Sequence, residues 1–342
     1  MWIGASISRF VLPVALACVL SLAVNSSASQ ESPNVVSIPD ELQCRTCAIR
    51  AARIRSWEVP DDSADGFPIG IRTDNLGRFW ILRRGDVPAV FDSSGRLLRA
   101  IGRHGRGPGE YMFPTEVLAV PPDTVVVLDG DLRRATVLDR TFQVARTVAL
   151  PMHVRRPVVL SWPGRVLGSG SVSAPGAAAK PLHELSFASG NRAVVTRSFG
   201  AAVAAPRPDG MMTASHALTP PRNGAFWAGW MFGYQLTRFA VDGRALRIIG
   251  REPDWFREPS QGGLGTPATP PPSLLVGLEE DRQGRLWTFL RVPSKSWKAA
   301  WPTLPPGTRE VSSRSIAVEK LYDTIIEVID SSCRACDCAS QA

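Results

Sequence analysis

The chain repeats itself, and that constrains its fold more than any other feature. "VFDSSGRLLRAIGR" at 90–103 aligns without a gap on "RFAVDGRALRIIGR" at 238–251, sharing Phe, Gly, Arg, Leu, Arg, Ile, Gly and Arg. "DNLGRFW" at 74–80 likewise aligns on "DRQGRLW" at 281–287. Weaker copies lie between, at 124–150 and 182–200, so the unit is about 40–50 residues, the length of one propeller blade. Each unit carries up to four short apolar runs separated by turns rich in Asp, Gly and Ser, such as "GIRTD", "GRFWILRR", "PAVFD" and "RLLRAIG" in the first. Runs this short, alternating or β-branched, read as antiparallel strands and not as helices. Four strands per unit, repeated radially, give an all-β fold: a β-propeller of four-stranded antiparallel blades. The abundance of glycine and proline, 29 of each, agrees with many turns.

Five units are recognisable, near 67–103, 114–151, 155–200, 215–251 and 274–330. "ARIRSWEV" at 52–59 has a fourth-strand pattern with no partner strands before it, which suits a strand that closes the ring. The fifth unit ends after its third run, "YDTIIEVID", and gives way to the cysteine-rich "SSCRACDCASQA". Two expectations follow: a five-bladed ring closed by 52–59, or a six-bladed propeller cut short near Asp330. The second is preferred because open sheet edges are an aggregation liability. The resulting division is 1–28 signal peptide, 29–51 N-terminal segment, 52–330 propeller and 331–342 irregular tail.

These residues resemble the NHL-repeat and TolB-like propeller class, especially the exported six-bladed propellers of bacteria. The resemblance rests on "DSSGRLLRAIGRHGRGPGEYMFPTEVLAV", the Asp-x-x-Gly-Arg-x-Trp turns and "CRTCAIRAARIRSWEV", and covers roughly 44–330. It implies a fold and almost nothing about activity, because one propeller scaffold hosts many functions.

Export is a separate signal. Arg9 precedes an apolar run from Phe10 to Val24, and small residues including Ser26 and Ala28 follow. This is the layout of a cleaved secretory signal. The run falls short of the ~20 residues of a membrane span, so no stable span is expected after cleavage, and the mature chain is placed in the periplasm or outside the cell. In that oxidising setting Cys44 and Cys47 are candidates for a local disulfide, with free thiols or zinc as alternatives.

The connector "IGRHGRGPGEYMFP" at 101–114 has the glycine content of a phosphate loop. It lacks the Gly-Lys-Ser/Thr of a P-loop and the helix a dinucleotide loop would open. It reads as a turn between blades, with Arg103, His104, Arg106, Glu110 and Tyr111 as candidate binding residues on its surface. No catalytic set, metal site or cofactor motif is found. "HELSF" at His183 lacks the second histidine of a zinc protease, and "LDGDLRR" at 128–134 lacks the terminal Glu of a calcium loop. Trp80 and Trp287, at equivalent positions, are expected between blades, whereas Trp227, Trp230, Trp255, Trp297 and Trp301 fall in less regular stretches that suit an aromatic platform. The net charge of +8 is dispersed and reads as a solvated face, which argues against nucleic acid. The function expected is a binding or scaffold module for a peptide, a glycan or an envelope protein. The alternative is a propeller enzyme of the metal-assisted lyase, lactonase or hydrolase kind.

Overall fold

A computed structural model describes residues 32–38, 56, 68–83, 85–162, 164–172, 180–188, 190–201, 215–257, 268–302 and 316–330. After β1 (Asn34–Ser37), blade 1 comprises β2 (Pro68–Thr73), β3 (Phe79–Arg83), β4 (Ala89–Phe91) and β5 (Leu97–Ala100). A two-residue pair, β6 (Arg103–His104) and β7 (Glu110–Tyr111), leads to blade 2: β8 (Pro114–Val120), β9 (Thr124–Asp129), β10 (Arg134–Leu138) and β11 (Val144–Ala149). Blade 3 is β12 (Arg155–Ser161), β13 (Arg165–Ser169), β14 (Leu182–Ser186) and β15 (Val194–Phe199). Blade 4 is β16 (His216–Leu218), β17 (Ala225–Trp230), β18 (Gln235–Ala240) and β19 (Ala245–Gly250). Blade 5 has three described strands, β20 (Leu274–Glu280), β21 (Arg285–Pro293) and β22 (Tyr322–Asp330), with α1 (Val318–Leu321) just before the last.

Every blade is an antiparallel meander in sequence order, and the first strands β2, β8, β12, β16 and β20 follow one another in space as the innermost strands. The strands of the five blades fall within the five repeat units read from the sequence. The proposed closing strand 52–59 lies almost wholly outside the described residues, as do Cys44, Cys47 and the tail after Asp330. A sixth blade is not seen among the described residues. Apart from the two-residue pair β6–β7 in the connector, one strand has no counterpart in the sequence reading: β1 pairs in parallel with β19, Val35 opposite Ile248 and Ser37 opposite Gly250. Four residues are too few for a period to register, and parallel pairing leaves no hairpin turn in the sequence.

The core is a series of layers between blades. In β9, Val125 and Val127 pack toward blade 1 while Val126 and Leu128 pack toward blade 3. Alternate residues of a strand face opposite sides of its sheet, so burial on both sides explains the unbroken "TVVVLD". Further clusters join blades 3 to 4 and 4 to 5. Blade 1 has no described blade before it, and on its innermost strand Ile69 and Ile71 stay exposed.

Aspartates close the hairpins on one edge of the blades. Asp74 Oδ1 accepts from the backbone N–H groups of Leu76 and Arg78, both at 3.0 Å, and Oδ2 from Arg78 Nε at 2.7 Å and Trp80 Nε1 at 2.9 Å. Asp281 repeats this with Gln283, Arg285 and Trp287 at 2.9, 3.0, 2.7 and 3.0 Å. The glycine of each turn, Gly77 and Gly284, has a positive φ of 71° and 80°, which a side chain would resist. The Asp-x-x-Gly-Arg-x-Trp motif is therefore a hairpin lock.

The arginines correct the reading of a merely solvated charge. Only four of the 39 basic residues are lysine, and many arginines clasp carbonyls of the neighbouring blade. Arg146 of blade 2 donates to Phe187 O at 2.9 Å, and Arg165 and Arg197 of blade 3 reach Val241 O of blade 4 at 3.4 and 2.6 Å. The planar, always-charged guanidinium suits this bridging role better than lysine does. Trp227 is likewise corrected: it lies in β17, fully buried between blades 4 and 5, where its apolar bulk is best satisfied.

Candidate functional site

In an up-and-down blade the turns after strands 1 and 3 emerge on one edge. Those after strand 2, and the blade-to-blade connectors, emerge on the other. The first edge carries the short Asp-locked turns, whose carboxylates are consumed by their own backbone. The second carries the connector 101–113 and the described ends of the other connections, such as 170–172, 180–181, 251–257 and 294–302. Connections on a rigid scaffold are where binding chemistry is usually placed.

The glycine-rich connector sits on this second face, and its contents are spent on its own shape. Glu110 accepts from Arg103 Nε at 2.7 Å and from Gly107 N at 2.6 Å, and these bonds hold its carboxyl below the usual range. Arg134 reaches in from blade 2 to bond the carbonyls of Arg106 and Gly107, each at 2.7 Å, and that of Glu110. Tyr111 is buried beneath the loop, and burial pushes its phenol up to about 12. Gly102, at φ 80°, lies so close to Gly109 that a β-carbon would meet the Gly109 carbonyl oxygen at 2.1 Å. Of the sequence-predicted residues, Arg103, His104 and Arg106 remain exposed, while Glu110 and Tyr111 serve the connector.

The two motifs that the sequence analysis set aside are structural groups. His183 is fully buried, with Nδ1 at 2.8 Å from Ser198 Oγ and Nε2 at 3.1 Å from Gly170 O. Asp129 of "LDGDLRR" binds the backbone N–H groups of Met112, Phe113 and Leu132. Among the described residues no group of three or more His, Cys, Asp or Glu is placed to hold a metal.

The feature the sequence did not disclose is a pocket of about 590 Å³ on the same face, between blades 3 and 4. Its wall includes Ser37 at the end of β1, His216 at the start of β16, Trp230 at the end of β17, Gln235 and Thr237 of β18, and Glu252 after β19. Tyr234 and Arg251 back it from inside, and both are fixed. Arg251 pairs with the wholly buried Glu327 at 2.6 Å, and the Tyr234 hydroxyl donates to the other Glu327 oxygen. Trp255 and Phe256 stack around Tyr234, with centroids 6.0 and 5.6 Å away. Gln235 and Glu252 are exposed at the rim, and Trp230 is half-buried. The aromatic run "FWAGWMFGY" at 226–234 was the one sequence sign of it, readable equally as core.

No family model matches the chain, and no curated protein matches it. Among solved structures, a Bacteroides fragilis protein assigned as exported aligns at a TM-score of 0.50 and 15% identity, over 77% of this chain and 78% of its own. A member of the DUF4221 family from Bacteroides vulgatus aligns at 0.48 and 10%, over 79% and 80%. A streptogramin B lyase aligns at 0.41 and 14%, over 67% and 64%. What the chain shares with the Bacteroides fragilis protein at this identity is the fold, a β-propeller.

Proposed function

We propose that this chain is an exported β-propeller binding module of the NHL-like kind, which takes a peptide or glycan segment of an extracytoplasmic partner in the pocket between blades 3 and 4. The observation that carries the reading is the composition of that pocket. It sets two aromatic side chains, Trp230 and Tyr234, in one lining with hydrogen-bonding groups of both kinds in Gln235, Thr237 and His216. Such a lining suits a ligand with apolar faces and polar edges. The inner wall is rigid through the Arg251–Glu327 pair, so little order has to be acquired on binding. Export rests on Arg9, the apolar run after it and the small residues that follow; among the described residues no helix is long and apolar enough to cross a membrane.

The test is to probe the purified mature chain against glycan and peptide arrays, then repeat the hits with Gln235→Ala and Glu252→Ala. Both side chains are exposed, so the melting temperature should hold while affinity falls about tenfold for a lost polar contact. Hits that both variants bind as tightly as the wild type would place the ligand elsewhere.

A further inference from the structure

The part of the pocket wall that β1 supplies is a strand edge. Among the described residues β1 is the outermost strand of its sheet, in the order β1-β19-β18-β17-β16. Ile38 N donates to Gly250 O at 3.1 Å, and Ser37 lies opposite Gly250. Backbone groups alternate along a strand, so Val36 and Ile38 turn theirs to β19, whereas Val35 and Ser37 turn theirs away from the sheet. Both outward residues are exposed, Val35 at 69%. In the sequence, prolines stand at 33 and 39, the next positions of the same alternation, and proline has no N–H to offer. The outward donors are therefore the N–H groups of Val35 and Ser37. The strand itself is uncharged and its register unbroken, so it lacks the charges and bulges that usually blunt an edge.

The same two residues line the pocket. Residues paired across a sheet point to one face, so one row runs from Gln235 through Gly250 to Ser37. A second runs from Ala228 through Thr237 and Ile248 to Val35. A β-carbon added at Gly250 would meet nothing within 4 Å, which leaves the first row open between Gln235 and Ser37. Arg251 is compensated by Glu327, and Glu252, exposed at the rim, is the one acidic residue of the described lining. The charge that a ligand meets there is negative.

We propose that the ligand of this pocket is an extended peptide that adds to the edge of β1 as a sixth strand of the sheet. Its backbone pairs with Val35 and Ser37, and a lysine or arginine side chain answers Glu252. The inference rests on the pocket being the binding site, and it selects peptide over glycan, because a glycan has no regular alternation of N–H and C=O to match such an edge. Strand addition draws affinity from main-chain bonds and specificity from alternate side chains. Neighbouring strands lie about 4.8 Å apart, so a long side chain of the added strand crosses Ser37 to the open space over Gly250.

A library of capped heptapeptides with a fixed central lysine, screened against the mature chain, supplies the probe, and its tightest member is titrated by calorimetry. Ser37→Pro removes the outward N–H and no bond to β19, and proline is tolerated on an edge that faces solvent. Ser37→Ala alters the same side chain and keeps the N–H. The expected result is binding about tenfold weaker for Ser37→Pro, as for one lost hydrogen bond, with Ser37→Ala at the wild-type value. Exchanging the lysine for glutamate should weaken the peptide by a similar factor, and Glu252→Lys should recover it. Protection of the Ile248 and Gly250 amides against exchange shows that β1 stays paired, and Val35→Pro repeats the comparison on the same edge. Strand addition is overturned, and the pocket left standing, by binding that Gln235→Ala and Glu252→Ala weaken but neither proline variant does. Equal weakening by Ser37→Ala and Ser37→Pro, or a pocket that takes glycans and no library peptide, overturns it in the same way. Binding that neither Gln235→Ala nor Glu252→Ala moves overturns the pocket reading, and this inference with it.

Discussion

The Arg156 side chain of blade 3 donates to the Val276 carbonyl of blade 5, and both residues lie where an innermost strand slips register. The bond skips blade 4, so it couples two blades that are not neighbours in the ring. A charged hydrogen bond of this kind is worth about 1.5–3 kcal/mol. Arg156→Ala should lower the unfolding free energy by about that amount. Arg156→Gly loses the same bond but relieves the positive φ of 47°, so it should be less destabilising than alanine by about 1 kcal/mol, reversing the usual order. Urea melts of the three proteins decide the matter. A glycine variant weaker than the alanine variant would mean that φ carries no strain.

The two turn glycines Gly77 and Gly102 separate conformational from steric need. Gly77 has a φ of 71°, and a β-carbon added there would meet nothing within 4 Å, so Gly77→Ala should cost only the left-handed backbone term, about 1–2 kcal/mol. Gly102 has a φ of 80°, and its β-carbon would stand 2.1 Å from Gly109 O and 2.8 Å from the Tyr111 ring. Gly102→Ala must also move backbone, and a further 1–3 kcal/mol or so, roughly the cost of overpacking, is expected. Thermal melts should show a clearly larger drop for Gly102→Ala. Equal drops would mean the connector rearranges freely, and with it the case for its structural role would fail.

The difference between those glycines also shows how far the sequence could be read. The Asp-x-x-Gly-Arg-x-Trp turns were legible because every group in them is local: one aspartate satisfies N–H groups two and four residues on and an indole six residues on. Blade limits were legible because both strand period and turn chemistry repeat. The pocket and the bonds between innermost strands were not, because they depend on which residues from distant repeats meet. Arg72, Glu116, Arg156 and Val276 come from four blades, and no spacing in the chain encodes their contact. The parallel strand β1 escaped for the same reason, since its partner β19 lies more than two hundred residues away.

Trp80 and Trp287 occupy the same place in the motif and make the same bond to aspartate, yet they are not equally buried. Trp80 is fully covered, with Phe142 of blade 2 edge-on at 5.5 Å. Trp287 is only half-buried. Since both alanine variants lose the indole bond, their difference isolates the packing. Trp80→Ala should cost about 3–5 kcal/mol and Trp287→Ala no more than about half of that. Differential scanning calorimetry would show the contrast. Equal losses would imply that Trp287 is covered in solution by something absent from the described residues.

Acid should loosen the seam between blades 3 and 4, and Glu184 is the reason. Its carboxylate, almost buried, takes Arg165 Nε at 2.6 Å, Arg165 Nη2 at 2.9 Å and Arg197 Nη2 at 2.5 Å. The hydrogen bond from Arg165 is the largest influence and, with the charge of both arginines, holds the carboxyl below its ordinary value against the cost of burial. A carboxyl that ionises more readily folded than unfolded stabilises fully above its unfolded pKa, about 4.3. That contribution is lost as pH falls through the lower folded value. The arginine side chains are 41% and 32% exposed, so solvent screening reduces the gain to about 1–2 kcal/mol at neutral pH. Glu184→Gln should therefore trail the wild type by that margin in urea melts at pH 7 and converge with it near pH 3. A gap that stays constant across that range would show that shape, not charge, holds the pair. The same arginines bond the Val241 and Asp242 carbonyls of blade 4, so amide exchange in β15 should quicken in acid before exchange in β9 does.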